Sequence, residues 1–141
     1  MIEHPSRILV VDDEADMCWA LENILSPDGY AVTATTSGVD ALKLIAEENY
    51  LVAFVDAKLP DLDGLELSLL IRQISPSTVV ILMSGFFYQE DIAIIQGLQN
   101  NIFTGFIAKP FNVEEIRLMA RRVIERAMEV PCVSDPNSGS R

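Results

Sequence analysis

The chain has 141 residues and a formal net charge of −11, from 21 Asp and Glu against 10 Lys and Arg. Its length matches one ordinary domain, and with half the residues hydrophobic it provides for a buried core, which excludes disorder over the bulk of the chain. The acidic balance argues against direct nucleic-acid binding, which is driven by Lys and Arg neutralising phosphates.

The charge is unevenly spread. Residues 8–66 hold thirteen acids and only Lys43 and Lys58 as bases. The two cysteines, Cys18 and Cys132, do not make a disulfide framework and read as unrelated reduced thiols. The first residues lead into only four apolar positions before Asp12, which is neither a signal peptide nor a membrane span of about 20 apolar residues. A soluble cytoplasmic protein is expected.

Ile8-Leu9-Val10-Val11 is a continuous apolar run, β-branched at three of four positions, suited to a strand buried on both faces. Met17, Ala20, Leu21, Ile24 and Leu25 then repeat at helical spacing, and Pro27-Asp28-Gly29 ends that helix. Tyr30 to Thr35 is a second strand. Ser37 is placed to cap a helix with Ala41, Leu42 and Ile45 facing inward. Leu51 to Val55 forms a third strand ending at Asp56, followed by a loop over Pro60 to Gly64 and a helix from Leu65 to Ile74 that Ser75-Pro76 stops. Thr78 to Met83 is a fourth strand ending at Ser84-Gly85. A helix around Glu90 to Gln99, a short strand Gly105 to Ala108 and a last helix from Val113 to Met128 complete the series. Five strands alternating with five helices predict an α/β domain, a parallel sheet covered by helices on each face. The domain occupies 1–129, and the Pro-, Ser- and Gly-containing stretch 130–141 reads as a flexible tail or linker.

In an open parallel sheet, ligands bind outside the carboxyl ends of the strands. Those ends carry Asp12-Asp13-Glu14, Asp56, Ser84 and Lys109-Pro110, while the second strand ends at uncharged Thr35-Thr36. Each is unremarkable alone: an Asp after a strand often caps a helix, Ser-Gly makes a turn, and Lys before Pro is a solvated end. Together they bring carboxylates, a hydroxyl and an ammonium to one cleft. Clustered carboxylates repel unless a cation neutralises them, and hard oxygen ligands favour Mg²⁺ or Mn²⁺ over zinc. His4, the only histidine, precedes the fold and is incidental. A cation beside carboxylates, with Ser84 and Lys109 near, makes a phosphoryl-handling centre in which a carboxylate serves as nucleophile.

These residues identify a family resemblance. The runs Ile-Leu-Val-Val-Asp12-Asp13-Glu14, Val55-Asp56 with Leu59-Pro60-Asp61-Leu62-Asp63-Gly64, Met83-Ser84-Gly85 and Phe106-Ile-Ala-Lys109-Pro110-Phe111 resemble, in this order, the receiver domain of bacterial two-component response regulators, from Arg7 to Glu129. The resemblance implies a single doubly wound, flavodoxin-like (βα)5 domain with strand order 2-1-3-4-5. It implies Asp56 as the acceptor of a phosphoryl group from a histidine kinase's phosphohistidine or a small phosphodonor. Asp13 and Asp56 would ligate Mg²⁺, Asp12 would assist through water, and the Lys58 carbonyl would complete the protein ligands. Lys109 would pair with the phosphoryl group, Ser84 would move to hydrogen-bond it, and Phe106 would turn inward as a switch. A cis peptide bond at Lys109-Pro110 is also implied. The implied partners are a sensor histidine kinase or phosphotransfer protein, an output domain or effector, and a phosphorylation-dependent homodimer, with no membrane and no direct nucleic-acid contact. Catalysis is confined to self-phosphorylation and autodephosphorylation.

Some features depart from the family. The stretch from Ser84 to Lys109 is longer by a few residues and has Gln99-Asn100-Asn101 where a glycine normally closes the helix. A shifted, extended or irregular helix is expected there, with Asn100 or Asn101 as cap. Phe86-Phe87-Tyr88 forms an aromatic patch expected to cover the cleft or meet a partner. Lys58 is either a tuner of phosphoryl lifetime or a solvated side chain. Arg117, Arg121, Arg122 and Arg126 line the last helix, with Arg121 spaced to pair with Glu125, as a solvated face or a contact surface. Trp19 is expected to be partly exposed near the acidic loop. Two other functions remain open at this stage: a Mg²⁺-dependent phosphohydrolase with an Asp nucleophile, and a receiver that docks without being phosphorylated.

Overall fold

A computed structural model describes residues 6–85, 100, 102, 104–109 and 111–133, with side chains described as far as 126. The elements are β1 (Arg7–Val11), α1 (Ala15–Leu25), a 3₁₀ turn (Ser26–Asp28), β2 (Ala31–Thr35), α2 (Gly38–Glu47), β3 (Val52–Asp56), α3 (Gly64–Ile74), β4 (Val79–Ser84), β5 (Gly105–Ala108) and α4 (Val113–Val133). All five strands run parallel in the order β2-β1-β3-β4-β5, so the doubly wound α/β sheet is as expected. The expected features around residues 86–99, at Asn101, at Pro110 and at His4 fall outside the described residues.

The sheet divides the core in two because successive strand residues point to opposite faces. On one face Ile8, Val10, Phe54, Ile81 and Met83 pack with Leu21 and Leu25 of α1 and Ile116 and Ala120 of α4. On the other, Leu9, Val11, Ala53, Val55 and Leu82 pack with Ala41 and Ile45 of α2 and Leu67 and Ile71 of α3. The central strand β3 is buried along its whole length, which explains why Val-Ala-Phe-Val shows no polar alternation.

The helix ends follow the side chains available. Ser37 caps α2 by accepting from the Asp40 N–H, and Asp63 caps α3 by accepting from the Leu65 N–H at 2.8 Å. Gly29 ends the 3₁₀ turn at φ +94°, a conformation in which a Cβ would be strained. The inward face of α1 differs slightly from the periodic reading: Cys18, Leu21 and Leu25 are buried, while Met17 and Ile24 are half-buried against the same core. Helix α4 continues to Val133, beyond the end near Met128 that the pattern suggested. Among the described residues no helix is long and apolar enough to cross a membrane.

Candidate functional site

The strand order sets β1, β3, β4 and β5 side by side, so their carboxyl ends open onto one cleft. Register then fixes which residues meet. The Lys109 N–H donates to the Ser84 carbonyl at 2.7 Å, and the Ala57 N–H to the Met83 carbonyl at 2.7 Å, carrying the ladder one step past each strand. Asp12, Asp56, Ser84 and Lys109 are thereby brought together, as the sequence suggested. The cleft has a volume of about 320 Å³ and is lined by Asp13, Glu14, Asp56, Lys58, Ser84, Gly85 and Lys109. Larger hollows of about 520 Å³ beside Ser6, Arg7 and Tyr50 and about 590 Å³ between β5 and α4 carry, among the described residues, no group of three carboxylates that could hold a metal; the first has only Glu47 and Glu48.

Asp12 is fully buried and Asp56 is 7% exposed, whereas Asp13 is open to solvent. The three carboxylates offer oxygens that all lie within 4.8 Å of one another. This donor set, oxygen only and part buried, part open, fits Mg²⁺ with room for water and does not fit zinc. Lys109 crosses the cleft to this cluster. Its Nζ lies 2.7 Å from Asp12 Oδ2, to which it donates, and 3.5 Å from Asp56 Oδ2. Asp12 Oδ1 accepts from the Glu14 N–H at 2.9 Å, and Asp56 Oδ1 from the Lys58 N–H at 3.3 Å.

The electrostatics follow from this packing. Burial is the main cause that pushes the Asp56 carboxyl up to about 6; Lys109 acts against it and the Asp12 charge adds to it. Burial would lower the Lys109 ammonium, but its hydrogen bond to Asp12 and the surrounding carboxylates outweigh that and raise it. Ser84 is buried at the end of β4. Phe106 is half-buried against the cluster built on Leu9 and Val11.

Three contributors were not apparent from the sequence. Cys18, read as an unrelated thiol, lies under the site with its Sγ 3.3 Å from the Asp12 carbonyl, and burial with the Asp12 charge raises its pKa. Its position one helical turn before buried Leu21 was the available signal. Gly64 makes a close approach: a Cβ there would lie 2.2 Å from the Asp56 carbonyl oxygen and 2.6 Å from Ala57 Cα. Asp61 accepts from the N–H groups at the start of α2, a long-range contact that no local spacing announces. Trp19 is 68% exposed, more than expected. On α4 the described ion pairs are made by Arg117, to Asp28 at 3.0 Å and to Glu114 at 3.8 Å; the Arg121–Glu125 pair is not among them.

The fold and cleft define a flavodoxin-like α/β module with a lysine-bridged acidic site at its strand ends. Residues 8–121 match the family model of the response regulator receiver domain, and the chain belongs to that family. It is 31% identical over 111 residues to sporulation initiation phosphotransferase F of Bacillus subtilis, covering 79% of this chain and 87% of that protein. It spans only a quarter of the length of the DNA-binding transcriptional regulator NtrC of Proteus hauseri, at 30% identity over 123 residues. A CheY-like receiver domain protein from Methanospirillum hungatei superposes with a TM-score of 0.83 at 25% identity, covering 89% of this chain and 98% of that one. A response regulator protein from Burkholderia pseudomallei, solved with a phosphorylated aspartic acid, calcium ion and citrate, superposes with a TM-score of 0.71 at 26% identity over 85% of this chain and 74% of that one. The chain is thus a response regulator receiver domain, the phosphorylation-dependent signalling module of two-component systems.

Proposed function

We propose that Asp56 is the phospho-acceptor of this receiver and that a histidine kinase or phosphotransfer protein supplies the phosphoryl group. One observation carries the assignment: Asp56 is the carboxylate at the end of the central strand, within reach of both the Lys109 ammonium and the other two carboxylates. An Asp56 oxygen attacks phosphorus, the phosphorus–nitrogen bond of the donor phosphohistidine breaks, and an acyl phosphate forms on Asp56. The leaving imidazole keeps the electron pair of the broken bond. Lys109, already turned into the cleft, compensates the charge of the transferring oxygens.

Asp13 and Asp56, with the Lys58 carbonyl and with Asp12 through water, would hold Mg²⁺ or Mn²⁺. When bound, the divalent ion supplies positive charge beside the phosphoryl oxygens. Ser84, on the β4 edge of the cleft, is the hydroxyl placed to hydrogen-bond the phosphoryl group, and Phe106 is the aromatic that changes its packing in response. The calcium ion and phosphorylated aspartate of the Burkholderia structure support this reading by analogy. Residues 1–129 form the receiver, its last helix running on to Val133, and the rest of the chain to 141 a tail or linker to an output domain or effector; a phosphorylation-dependent homodimer is part of the same reading. The module works in the cytoplasm as a switch, its chemistry limited to its own phosphorylation and dephosphorylation.

The test is incubation with acetyl phosphate and Mg²⁺, followed by intact mass. A single phosphoryl adduct on the wild type, lost in Asp56→Ala and without Mg²⁺, is the expected result. No adduct on the wild type would leave docking without phosphorylation as the function.

A further inference from the structure

The loop from Ala57 to Asp63 carries the Lys58 carbonyl, and its geometry is fixed at two places. At its base, the Gly64 N–H donates to the Ala57 carbonyl at 2.9 Å and Lys58 bridges to Asp63. At its tip, the Asp61 carboxylate accepts three hydrogen bonds from the start of α2: from the Gly38 N–H at 3.1 Å, the Val39 N–H at 3.0 Å and the Ser37 hydroxyl at 3.1 Å. The tip also packs tightly. A Cβ at Gly38 would sit 3.0 Å from Leu62 Cβ, so the absence of a side chain there lets helix and loop meet.

Capping of α2 does not by itself call for Asp61. Ser37 already caps the helix through the Asp40 N–H. Asp61 instead takes up two of the helix's remaining unpaired donors with an ionised acceptor, a charge-assisted contact favoured by the helix dipole. The Val39 and Gly38 N–H groups hold its carboxyl below the usual carboxylate range, so the contact persists at neutral pH.

We propose that Asp61 is a positioning residue for the phosphoryl site: by latching the loop tip to α2, it holds the Lys58 carbonyl in the place that Mg²⁺ requires. This rests on the metal ligands given under Proposed function. A partner that orients a metal ligand sets affinity without touching the ion, and its loss costs about tenfold or more in binding.

The test titrates Mg²⁺ into the full chain, read by calorimetry and by the Mg²⁺ dependence of phosphorylation from acetyl phosphate. Asp61→Ala is expected to raise the half-saturating Mg²⁺ concentration about tenfold while leaving the rate at saturating Mg²⁺ close to wild type. Asp61→Asn, which keeps one acceptor toward α2, should recover part of the loss and carries the test if the Ala variant does not fold. Asp40→Asn, which removes a charge from the same helix turn without touching the loop, should leave the Mg²⁺ dependence near wild type. A wild-type protein that binds Mg²⁺ and is phosphorylated, with Asp61→Ala showing the same dependence, overturns the positioning role alone. An equal shift in Asp40→Asn overturns it in favour of a general charge effect. A wild type that takes up neither Mg²⁺ nor phosphoryl overturns the underlying reading, and the latch with it.

Discussion

Replacing Asp56 with Asn should stabilise the metal-free protein at neutral pH, although it removes the carboxylate proposed as the phospho-acceptor. Burial raises the Asp56 carboxyl to about 6 against an ordinary 3.8. The folded state therefore holds this proton more tightly than the unfolded state does. Between these two values the native protein binds more protons than the unfolded chain, so stability falls as pH rises through the interval. Above pH 6 the full penalty for keeping Asp56 ionised is present. A gap of about two pH units at 1.36 kcal/mol each gives about 3 kcal/mol. That figure already contains the attraction of Lys109, which lies 3.5 Å from the carboxylate. Asn has no such penalty and keeps an oxygen for the Lys58 N–H, which now donates to Asp56 Oδ1. Urea unfolding in EDTA should show Asp56→Asn more stable than wild type by up to about 3 kcal/mol at pH 7.5. The difference should shrink as pH falls below 6 and approach zero near pH 3, below the ordinary value of 3.8, where Asp56 is protonated in both states. A neutral or destabilising substitution at pH 7.5, or a gain that grows as pH falls, would refute the reasoning.

Mg²⁺ should raise the melting temperature of the wild type and leave Asp56→Asn nearly unchanged; at about 100 times its dissociation constant, a native-state ligand contributes about 2.7 kcal/mol. Lys109→Ala strips the counter-charge from buried Asp12 and Asp56 and should cost about 3 kcal/mol in EDTA by chemical denaturation, with Mg²⁺ restoring part of it. Gly64→Ala drives a Cβ into the Asp56 and Ala57 backbone and should destabilise by about 4 kcal/mol or prevent folding, which circular dichroism and a thermal melt would report.

Much of the architecture was legible because it depends on short-range pattern. The apolar runs at Ile8–Val11 and Leu51–Val55 and the turn chemistry at Pro27-Asp28-Gly29 and Ser75-Pro76 place elements with no knowledge of their neighbours. The site was legible for a further reason: in a parallel sheet the residue after each strand is delivered to the same edge, so Asp12, Asp56, Ser84 and Lys109 needed only a strand order to converge. What escaped the reading depends on contacts between distant segments. Asp61 looks like one more loop acid, and its contact with Gly38, 23 residues away, appears only once β1 and β3 are neighbours. Cys18 faces the Asp12 carbonyl because α1 is rotated so that Cys18, Leu21 and Leu25 point inward, a choice the apolar spacing left between neighbouring stripes. Sequence spacing also makes an Arg121–Glu125 pair feasible, but the described ion pairs of α4 are made by Arg117, one of them to Asp28, which the turn after α1 brings in from a distant segment.

The lysine that bridges Asp12 and Asp56 also fixes the bookkeeping of the cleft. With all three acids ionised and Lys109 protonated, the cluster carries two uncompensated negative charges, the complement of one divalent ion. A monovalent cation leaves it half balanced, and a trivalent one overshoots. In the proposed metal site, selectivity for valence would begin before any ligand geometry is imposed, and it would be tunable from outside the coordination sphere: an added positive side chain at the exposed rim, near Asp13 or Glu14, would shift the preferred ion toward lower charge without altering a single ligand.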